Sequence, residues 1–489
     1  MEPGTSRFFI ATQKWLYRIS HIYYSMLARD TKRRKCSCES PQIVANNASK
    51  TRPVEQEIAF YLTPIKGLSA AQNQYSIALT DLLDGEFTSC LLSNYMYDVP
   101  WLMQQYFVSI FLFWQSIKHQ CQKYTNIKTI APYLPIPFGT HHSKMMIIWY
   151  AEKVRVAIFT ANFLPIDWNN KTQGIWFQDF GLKSETSASS RTNLWPERID
   201  FEADLIDYLI HVDKIHLGEL CLTLEKYDFS TANVALVASV PGTHKNRAIW
   251  IDMHKYGHLR MRRLLQTLEA WNNEYPLICQ FSSLGSLTEP WLYHEFTESL
   301  QAHSTTKQRP ALHLIWPSAE QVRNSIEGWN AGRAIPCPLK NMKPFLHKFL
   351  RTWNPPPKLH RSNAMPHIKS YAQFDPTALD GTLRWALLSS SNLSSAAWGS
   401  YQKQKNQFMI RSFEIGVLFH PKVYRNDKLC TDPLVVIGTP ADEAASQNAI
   451  RFPAPYNFPL QAYDTKQDEP WIWNLAWDLP DSTGACYIP

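Results

Sequence analysis

Two pairs of short apolar runs stand out along this 489-residue chain. In the first, Met145-Met-Ile-Ile-Trp-Tyr150 and Val154-Arg-Val-Ala-Ile-Phe-Thr160 flank the polar turn Ala151-Glu-Lys153. In the second, Ser370–Phe374 and Leu383-Arg-Trp-Ala-Leu-Leu388 flank a longer polar loop, Asp375–Thr382. Runs this short around turn residues predict β-hairpins, and their near-continuous apolarity predicts strands buried on both faces. Apolar patterning begins at Ile58-Ala-Phe-Tyr-Leu62, just after Pro53. The run Phe107-Val-Ser-Ile-Phe-Leu-Phe-Trp114 is far shorter than the roughly 18–20 residues a membrane-spanning helix needs. It falls in Phe107–Tyr124, where a strand and a polar loop would be expected, and its apolarity leaves that edge of the first half undefined. Pro355-Pro-Pro357 and Pro453–Pro459 read as surface loops.

The two hairpins share more than shape. His142-Ser-Lys144 leads into the first and His367-Ile-Lys369 into the second, and Asn162 and Asn392 follow them. The His-to-Asn separation is 162 − 142 = 20 residues in one and 392 − 367 = 25 in the other. That difference falls in the loop, where insertions are tolerated. Each copy reads as strand, turn, strand, with His and Lys on the first strand and Asn just past the second. The copies are 367 − 142 = 225 residues apart, which predicts two similar α/β halves. The division expected is 1–55, 56–243 and 244–489, with the inner boundary near Pro241-Gly242.

Composition narrows the class. At 45% hydrophobic and 13% aromatic residues, the chain can bury a sizeable core, which excludes a disordered or collagen-like protein. The formal net charge is +7, but residues 1–55 contribute 10 − 4 = +6 of it, leaving 39 − 38 = +1 for the remainder. A globally basic nucleic-acid coat is thereby excluded. Within the tail, Lys32-Arg-Arg-Lys35 is a basic cluster of the kind nuclear import reads, or simply a solvated tail. Residues 7–29, rich in Arg, Lys, Ser and aromatics, leave a mitochondrial transit peptide as the alternative address. Lys14 and Arg18 interrupt any secretory core. Nine scattered cysteines lack zinc spacing and, being odd in number, do not form a disulfide framework; reduced intracellular thiols are expected.

The repeated unit carries its own chemistry. Alternation along a strand puts His142 with Lys144, and His367 with Lys369, on one face. A neighbouring ammonium disfavours the imidazolium, leaving a nucleophilic ring nitrogen near pH 7. Lysine and asparagine donors can hold phosphate oxygens as charge develops. If the halves meet face to face, two histidines flank one phosphorus, one attacking while the other protonates the leaving oxygen. Two lysines supply the positive charge, so no metal is expected. One His-x-Lys alone is ordinarily an exposed polar pair; two with matched asparagines are not. A zinc site at His141-His142 is disfavoured because Lys144 would repel the cation and no carboxylate completes the ligand set.

Gly139-Thr-His-His-Ser-Lys-Met-Met146 and Met365-Pro-His-Ile-Lys-Ser-Tyr371 resemble the two signature motifs of tyrosyl-DNA phosphodiesterases, the eukaryotic DNA-repair branch of the phospholipase D superfamily. That branch has Asn in place of the usual terminal Asp, as at Asn162 and Asn392. The likeness runs from Tyr61-Leu-Thr63 through Lys171-Thr-Gln-Gly-Ile-Trp176, Gln280-Phe-Ser-Ser-Leu-Gly-Ser286 and Ser391-Asn-Leu-Ser-Ser-Ala-Ala-Trp-Gly399 to Pro470-Trp-Ile-Trp-Asn474. It implies two phospholipase D-like domains, each a mixed sheet flanked by helices, related by a pseudo-twofold axis with the active site between them. It further implies that His142 is the nucleophile forming a phosphohistidine and that His367 is the general acid, then the base. Lys144, Lys369, Asn162 and Asn392 would clamp the phosphate, while Glu414 and Gln173 would orient the two imidazoles. Phe138 would stack a base, and Ser283, Ser286 and Ser394 would bind backbone phosphates. Tyr95, Pro336 and Trp473 would line the peptide or nucleic-acid side of the groove, or simply pack in the core. Where the family often has a lysine after that last serine, this chain has Ser395.

The expected function is therefore a monomeric, metal-independent phosphodiesterase with no cofactor. It would clear tyrosyl-peptide adducts of trapped topoisomerase I, and other blocking groups, from single- or double-stranded DNA 3′ ends. Two rivals have different chemistry: another phospholipase D-type enzyme acting on lipid head groups or as a nuclease, and a catalytically silent DNA-end binding protein. The Asn substitution, Phe138 and the serine loop argue against lipid.

Overall fold

The computed structural model describes residues 57–105, 109–113, 118–184, 199–247, 250–268, 275–301, 310–424, 432–464 and 466–489. The expectations for the basic tail lie outside these residues. Seven strands form the first sheet: β1 (Tyr61–Leu62), β2 (Phe87–Ser93), β3 (Ser109–Phe113), β4 (Ile127–Ile130), β5 (Met145–Tyr150), β6 (Lys153–Phe159) and β7 (Gly174–Gly181). Their spatial order is β1-β7-β6-β5-β2-β3-β4. After β8 (Ala235–Ser239) the chain leaves for β9 (Gly242–Arg247) and β10 (Trp250–Ile251). It then builds β11 (Leu277–Gln280), β12 (Leu312–Ile315), β13 (Leu350–Arg351), β14 (Ser370–Phe374) and β15 (Thr382–Ser389). β16 (Ser400–Gln402) and β17 (Gln407–Ile410) join β9 and β10 in a small sheet ordered β10-β9-β17-β16. β18 (Glu414–Phe419), β19 (Leu434–Val436) and β20 (Ile450–Phe452) complete the set.

The main path of the second sheet, β8-β18-β15-β14-β11-β12-β13, repeats the first strand for strand. The directions repeat too. β2, β3 and β4 are mutually parallel, as are β11, β12 and β13, and every other pairing along the two paths is antiparallel. The expected duplication is thus a duplication of two whole mixed sheets. β8, which the division at 243/244 would leave in the first half, pairs with β18 and occupies in the second sheet the place of β1 in the first.

Burial explains the apolar runs. Met145, Ile147 and Trp149 of β5, with Val154, Val156 and Ile158 of β6, enter the core shared with the second sheet. Met146, Ile148, Ala157 and Phe159 enter a separate core on the opposite face, with Leu79, Leu82, Val99 and Leu102. A strand covered on both faces has no polar side to show. The same reasoning applies to the described part of Phe107–Tyr124; residues 107–108 and 114–117 lie outside the described residues. β3 lies inside the sheet between β2 and β4, with Ile110 and Leu112 buried, and the edge strand is β4.

The inner faces of the two sheets pack together, with Gly174 at the seam. A Cβ there would lie 2.5 Å from Leu388 Cδ1 and 3.0 Å from Ile368 Cδ1, so a side chain would force those two to repack. The helix Phe201–Leu224, kinked at Asp213, buries Leu205, Tyr208 and Leu209 in the shared core. Among the described residues no helix is long and apolar enough to cross a membrane.

Candidate active site

His142 and Lys144 fall just ahead of β5, and His367 and Lys369 just ahead of β14, rather than on those strands. Their extended segments pair instead with the opposite half. His142 N donates to Phe413 O at 2.9 Å and Phe413 N donates to Thr140 O at 2.9 Å. In mirror fashion, His367 N donates to Thr172 O at 3.0 Å and Thr172 N donates to Met365 O at 3.0 Å. Each motif is therefore stitched to the other half immediately beside its reactive residues. Alternation along the chain still sorts the faces: Ser143 turns away and accepts from Tyr208 Oη at 2.6 Å, while Lys144 Nζ donates to His142 O at 2.7 Å. Lys369 Nζ likewise donates to His367 O. His141 turns away, its Nε2 2.7 Å from Ser93 Oγ and its ring 5.3 Å from Phe413.

Each histidine is oriented by a residue from the other half. Glu414 Oε2 lies 2.9 Å from His142 Nδ1. A carboxylate accepts, so Nδ1 carries the proton and Nε2 is left with its lone pair. Gln173 meets His367 Nδ1 with both amide atoms, Nε2 at 3.1 Å and Oε1 at 3.2 Å. An amide can donate to neutral imidazole or accept from imidazolium, so Gln173 suits either protonation state of His367. Sheet register makes these two residues equivalent. Phe159 faces Ile175 across β6 and β7, Ser389 faces Gly416 across β15 and β18, and Gln173 and Glu414 each precede that partner by two.

The equivalence continues one layer out. Thr160 and Ser390 each follow the last residue of β6 and β15. Thr160 Oγ1 donates to Gln173 Oε1 at 2.8 Å and accepts from Gly174 N at 3.0 Å. Ser390 Oγ donates to Glu414 Oε2 and accepts from Ile415 N at 3.0 Å. Both hydroxyls went unread in the sequence, although each stands two residues before its Asn.

The asparagines are held differently. Asn392 Oδ1 accepts from Ser282 N at 3.1 Å, which turns its amide donors away from that loop. Asn162 is held by Asp167, whose Oδ2 accepts from Asn162 N at 2.8 Å and Nδ2 at 2.9 Å. Asn162 Oδ1 is buried without a partner. Asp167, also unread in the sequence, is buried and lies 3.7 Å from His367 Nδ1.

Burial and charge set the protonation states. Burial, then the lysines, pulls His367 well below the usual histidine value, and burial with Lys144 lowers His142 although Glu414 opposes them. Burial likewise pulls Lys144 down to about 8, against Glu414 and Asp167, and lowers Lys369 further with Lys144 beside it. Burial would raise Glu414, but His142, Ser390 and Lys144 outweigh it and hold the carboxyl below its ordinary value. The site thus offers two neutral imidazoles and a pair of buried amines, an arrangement suited to an incoming phosphodiester.

Around this centre, the rim residues divide. Phe138 is 72% exposed, with a left-handed φ of 62°, which removes it from any core. Tyr95 is half-buried, its ring 5.4 Å from His142 and 5.8 Å from Lys144 Nζ. Ser283 is half-buried and Ser286 exposed, on a loop pressed against Ser394: a Cβ on Gly285 would lie 2.5 Å from Ser394 Cβ. The Ser394 hydroxyl accepts from Ala397 N at 3.2 Å, capping the turn Ser395–Trp398. Pro336 O accepts from Leu284 N at 3.4 Å, so it borders the serine loop, and Trp473 N donates to the neighbouring Cys337 O at 3.2 Å. Trp473 also packs against the core.

Residues 59–464 match the sequence model of the family described as tyrosyl-DNA phosphodiesterase. The chain is 36% identical over 478 residues to the tyrosyl-DNA phosphodiesterase 1 of Arabidopsis thaliana, covering 87% of this chain and 76% of that protein. With the probable tyrosyl-DNA phosphodiesterase of Caenorhabditis elegans it shares 32% identity over 464 residues, 88% of this chain and 92% of that one. Its fold superposes on the crystal structure of the yeast tyrosyl-DNA phosphodiesterase with a TM-score of 0.64 at 19% identity, covering 85% of this chain and 99% of that one.

Proposed function

We propose a reaction path for a chain that belongs to the tyrosyl-DNA phosphodiesterase family and is a DNA-repair hydrolase of that kind. The bond cut is the 3′-phosphodiester between DNA and a tyrosine of a trapped topoisomerase I peptide, or another 3′ blocking group. His142 Nε2 attacks the phosphorus, a P–N bond forms, and the P–O bond to tyrosine breaks. His367, which takes up a proton as the anionic phosphodiester binds, passes it to the departing oxygen. His367, now neutral, takes a proton from water, whose oxygen attacks the same phosphorus and breaks the P–N bond. The products are tyrosine and a DNA 3′-phosphate, with both histidines restored. Lys144, Lys369, Asn162 and Asn392 neutralise and hold the non-bridging oxygens as charge builds.

The crossed pairing of Glu414 with His142 and Gln173 with His367 carries this reading. A carboxylate fixes a nucleophile in one tautomer and stabilises the cation it becomes, whereas an amide lets its partner alternate between acid and base. Phe138 would stack a base near the 3′ end, with Ser283, Ser286 and Ser394 against the backbone and Tyr95, Pro336 and Trp473 toward the peptide. The enzyme would act as a monomer, without a metal, on single- and double-stranded ends. Lys32-Arg-Arg-Lys35 supports a nuclear address.

A 3′-phosphotyrosyl oligonucleotide, run on a gel with EDTA present beside a liposome head-group assay, tests substrate and metal independence together. Conversion to the 3′-phosphate oligonucleotide with no lipid turnover is expected. Lipid turnover alone, or DNA binding without conversion, would replace the reading with one of its rivals.

A further inference from the structure

The small sheet has an outer face that the chemistry above leaves unused. Two sequence stretches feed it, Ala235–Ile251 and Ser390–Phe413, and neither contains an Asp or Glu. Register places Lys245 opposite Gln407, and Gln407 opposite Gln402, in one row. Thr243, Met409 and Ser400 form the next row. Gln402 Nε2 reaches Met409 Sδ at 3.3 Å, so these rows share a face. The opposite face is covered: Phe408 is buried, with the His258 ring 4.9 Å away. Two acids of the helical segment behind it are engaged there: Glu295 accepts from Tyr401 N, and Glu298 lies 3.6 Å from Arg262.

At one end of the outer face is a turn in which Lys403, Gln404 and Lys405 all hold positive φ, 47°, 55° and 67°. Both lysines are exposed, as is Lys245. At the other end Arg411 continues the alternation Gln407, Met409, Arg411. Its Nη1 donates to Pro137 O at 2.9 Å, beside exposed Phe138, and its backbone N donates to Ala396 O at 3.1 Å, two residues past Ser394. A polar, acid-free strip thus runs from the rim of the active site to a lysine-bearing tip. At about 3.4 Å per residue the four steps from Gln407 to Arg411 span ~14 Å, and the turn carries the lysines beyond them.

We propose that this strip carries the phosphate backbone of the DNA strand for several nucleotides beyond the one at the active site, an inference that rests on the function proposed above. Charge complementarity and continuity with the rim at Phe138 select the occupant. The strip is long enough for a few successive phosphates, one near each exposed lysine. It supplies affinity without base information and leaves the chemical step untouched.

The test is a triple variant, Lys245→Gln with Lys403→Asn and Lys405→Asn; asparagine tolerates the left-handed backbone at the turn and removes the charge. Binding of a labelled 20-nucleotide single strand ending in a 3′-hydroxyl is read by anisotropy across a salt series, independently of turnover. Each lost contact on a single strand removes ~0.7 from the slope of log K against log salt, so the slope should fall by about 2 and affinity at 0.1 M salt by at least tenfold. Turnover of a dinucleotide 3′-phosphotyrosyl substrate should be unchanged, which also confirms the fold. A control variant, Lys66→Gln, Lys226→Gln and Lys466→Gln, removes three exposed charges elsewhere and should bind normally. An unchanged slope in the first variant, or an equal loss in the control, overturns the proposal. Failure of wild-type protein to cleave the dinucleotide would instead count against the proposed reaction, leaving the binding result to judge the strip alone.

Discussion

The two halves of this molecule share a seven-strand order, a His-x-Lys leading into the fourth strand of that order, a hydroxyl two residues before an Asn, and one orienting residue at the same register. They differ where that register holds Glu414 in one and Gln173 in the other, and where Asp167 supports one Asn while a backbone amide supports the other. Duplication brings two imidazoles close enough for His142 to act on the protonation of His367. On the reaction path proposed above, the exchange of an oxygen for an NH2 group would give them separate roles. Because each orienting residue serves the histidine of the opposite half, neither half holds a complete set.

Removing either imidazole breaks the symmetry most severely. His142→Ala should lower single-turnover release of tyrosine by about 10⁴-fold or more, since no nucleophile remains at that place. His367→Ala should behave differently. A phenolate, with pKa about 10, departs without much help, whereas water at pKa about 15.7 needs a base. The first step should therefore outrun the second, and a covalent enzyme–DNA species should accumulate on denaturing gels. Equal loss in both variants with no covalent species would mean that the histidines do not divide the work.

Exchanging the orienting residues probes the division directly. Glu414→Gln places at one position what the fold already accepts at the other, so the variant should fold and its activity should fall about 10²–10³-fold through loss of charge behind the nucleophile. Gln173→Glu should cost only about tenfold. By holding His367 protonated it should spare tyrosine release and slow the water step, raising the covalent species at steady state. Reversal of these magnitudes would exchange the two histidines' roles.

Much of this was legible before any coordinates. The apolar runs predicted β5, β6, β14 and β15 to within a residue or two at each end, because strands buried on both faces leave little room for polar residues. The repeat predicted two halves. What stayed hidden was pairing across the halves: nothing in the sequence around His142 says that it binds Phe413, 271 residues away (413 − 142 = 271). Asp167 was hidden because an acid two residues after a proline ordinarily reads as a helix start, and it does sit in the first turn of Pro165–Asn169. Thr160 and Ser390 were visible at matching offsets, but hydroxyls at strand ends are too common to single out.

The lysines offer a pH probe of the same comparison. Lys144 has its ammonium pulled down to about 8 and Lys369 is lowered further, so the positive charge available to phosphate falls as pH rises through that range. Lowered values mean the charged forms persist only on the acid side. The profile of kcat/KM, which reports the free enzyme, should therefore already decline on the approach to pH 8, as Lys369 loses its charge, and steepen above about 8 as Lys144 follows. Bound phosphate favours the ammonium forms, so the limb in kcat should lie at higher pH. Stopped assays from pH 6 to 10 on a tyrosyl oligonucleotide would show both limbs. A kcat/KM flat to pH 10 would remove the lysines as the source of charge.

The smallest effects should come from the hydroxyls behind the orienting residues, where the halves are most alike. Ser390 donates to a carboxylate and Thr160 to a neutral amide. Hydrogen bonds to charged groups contribute about 1.5–3 kcal/mol and neutral ones about 0.5–1.5 kcal/mol. Ser390→Ala leaves Glu414 with one donor fewer in a buried site, so its carboxyl value should rise and its hold on His142 should weaken. Loss of about tenfold in kcat, with KM unchanged, is expected. Thr160→Val keeps the shape and loses a weaker donor; Gln173 still reaches His367, and the loss should stay below about fivefold. The separation should vanish in a Glu414→Gln background, since Ser390 would then face an amide as Thr160 does. A double-mutant cycle measures that coupling: a persistent tenfold loss for Ser390→Ala in that background would show that the serine acts on packing rather than through the charge that separates the two halves.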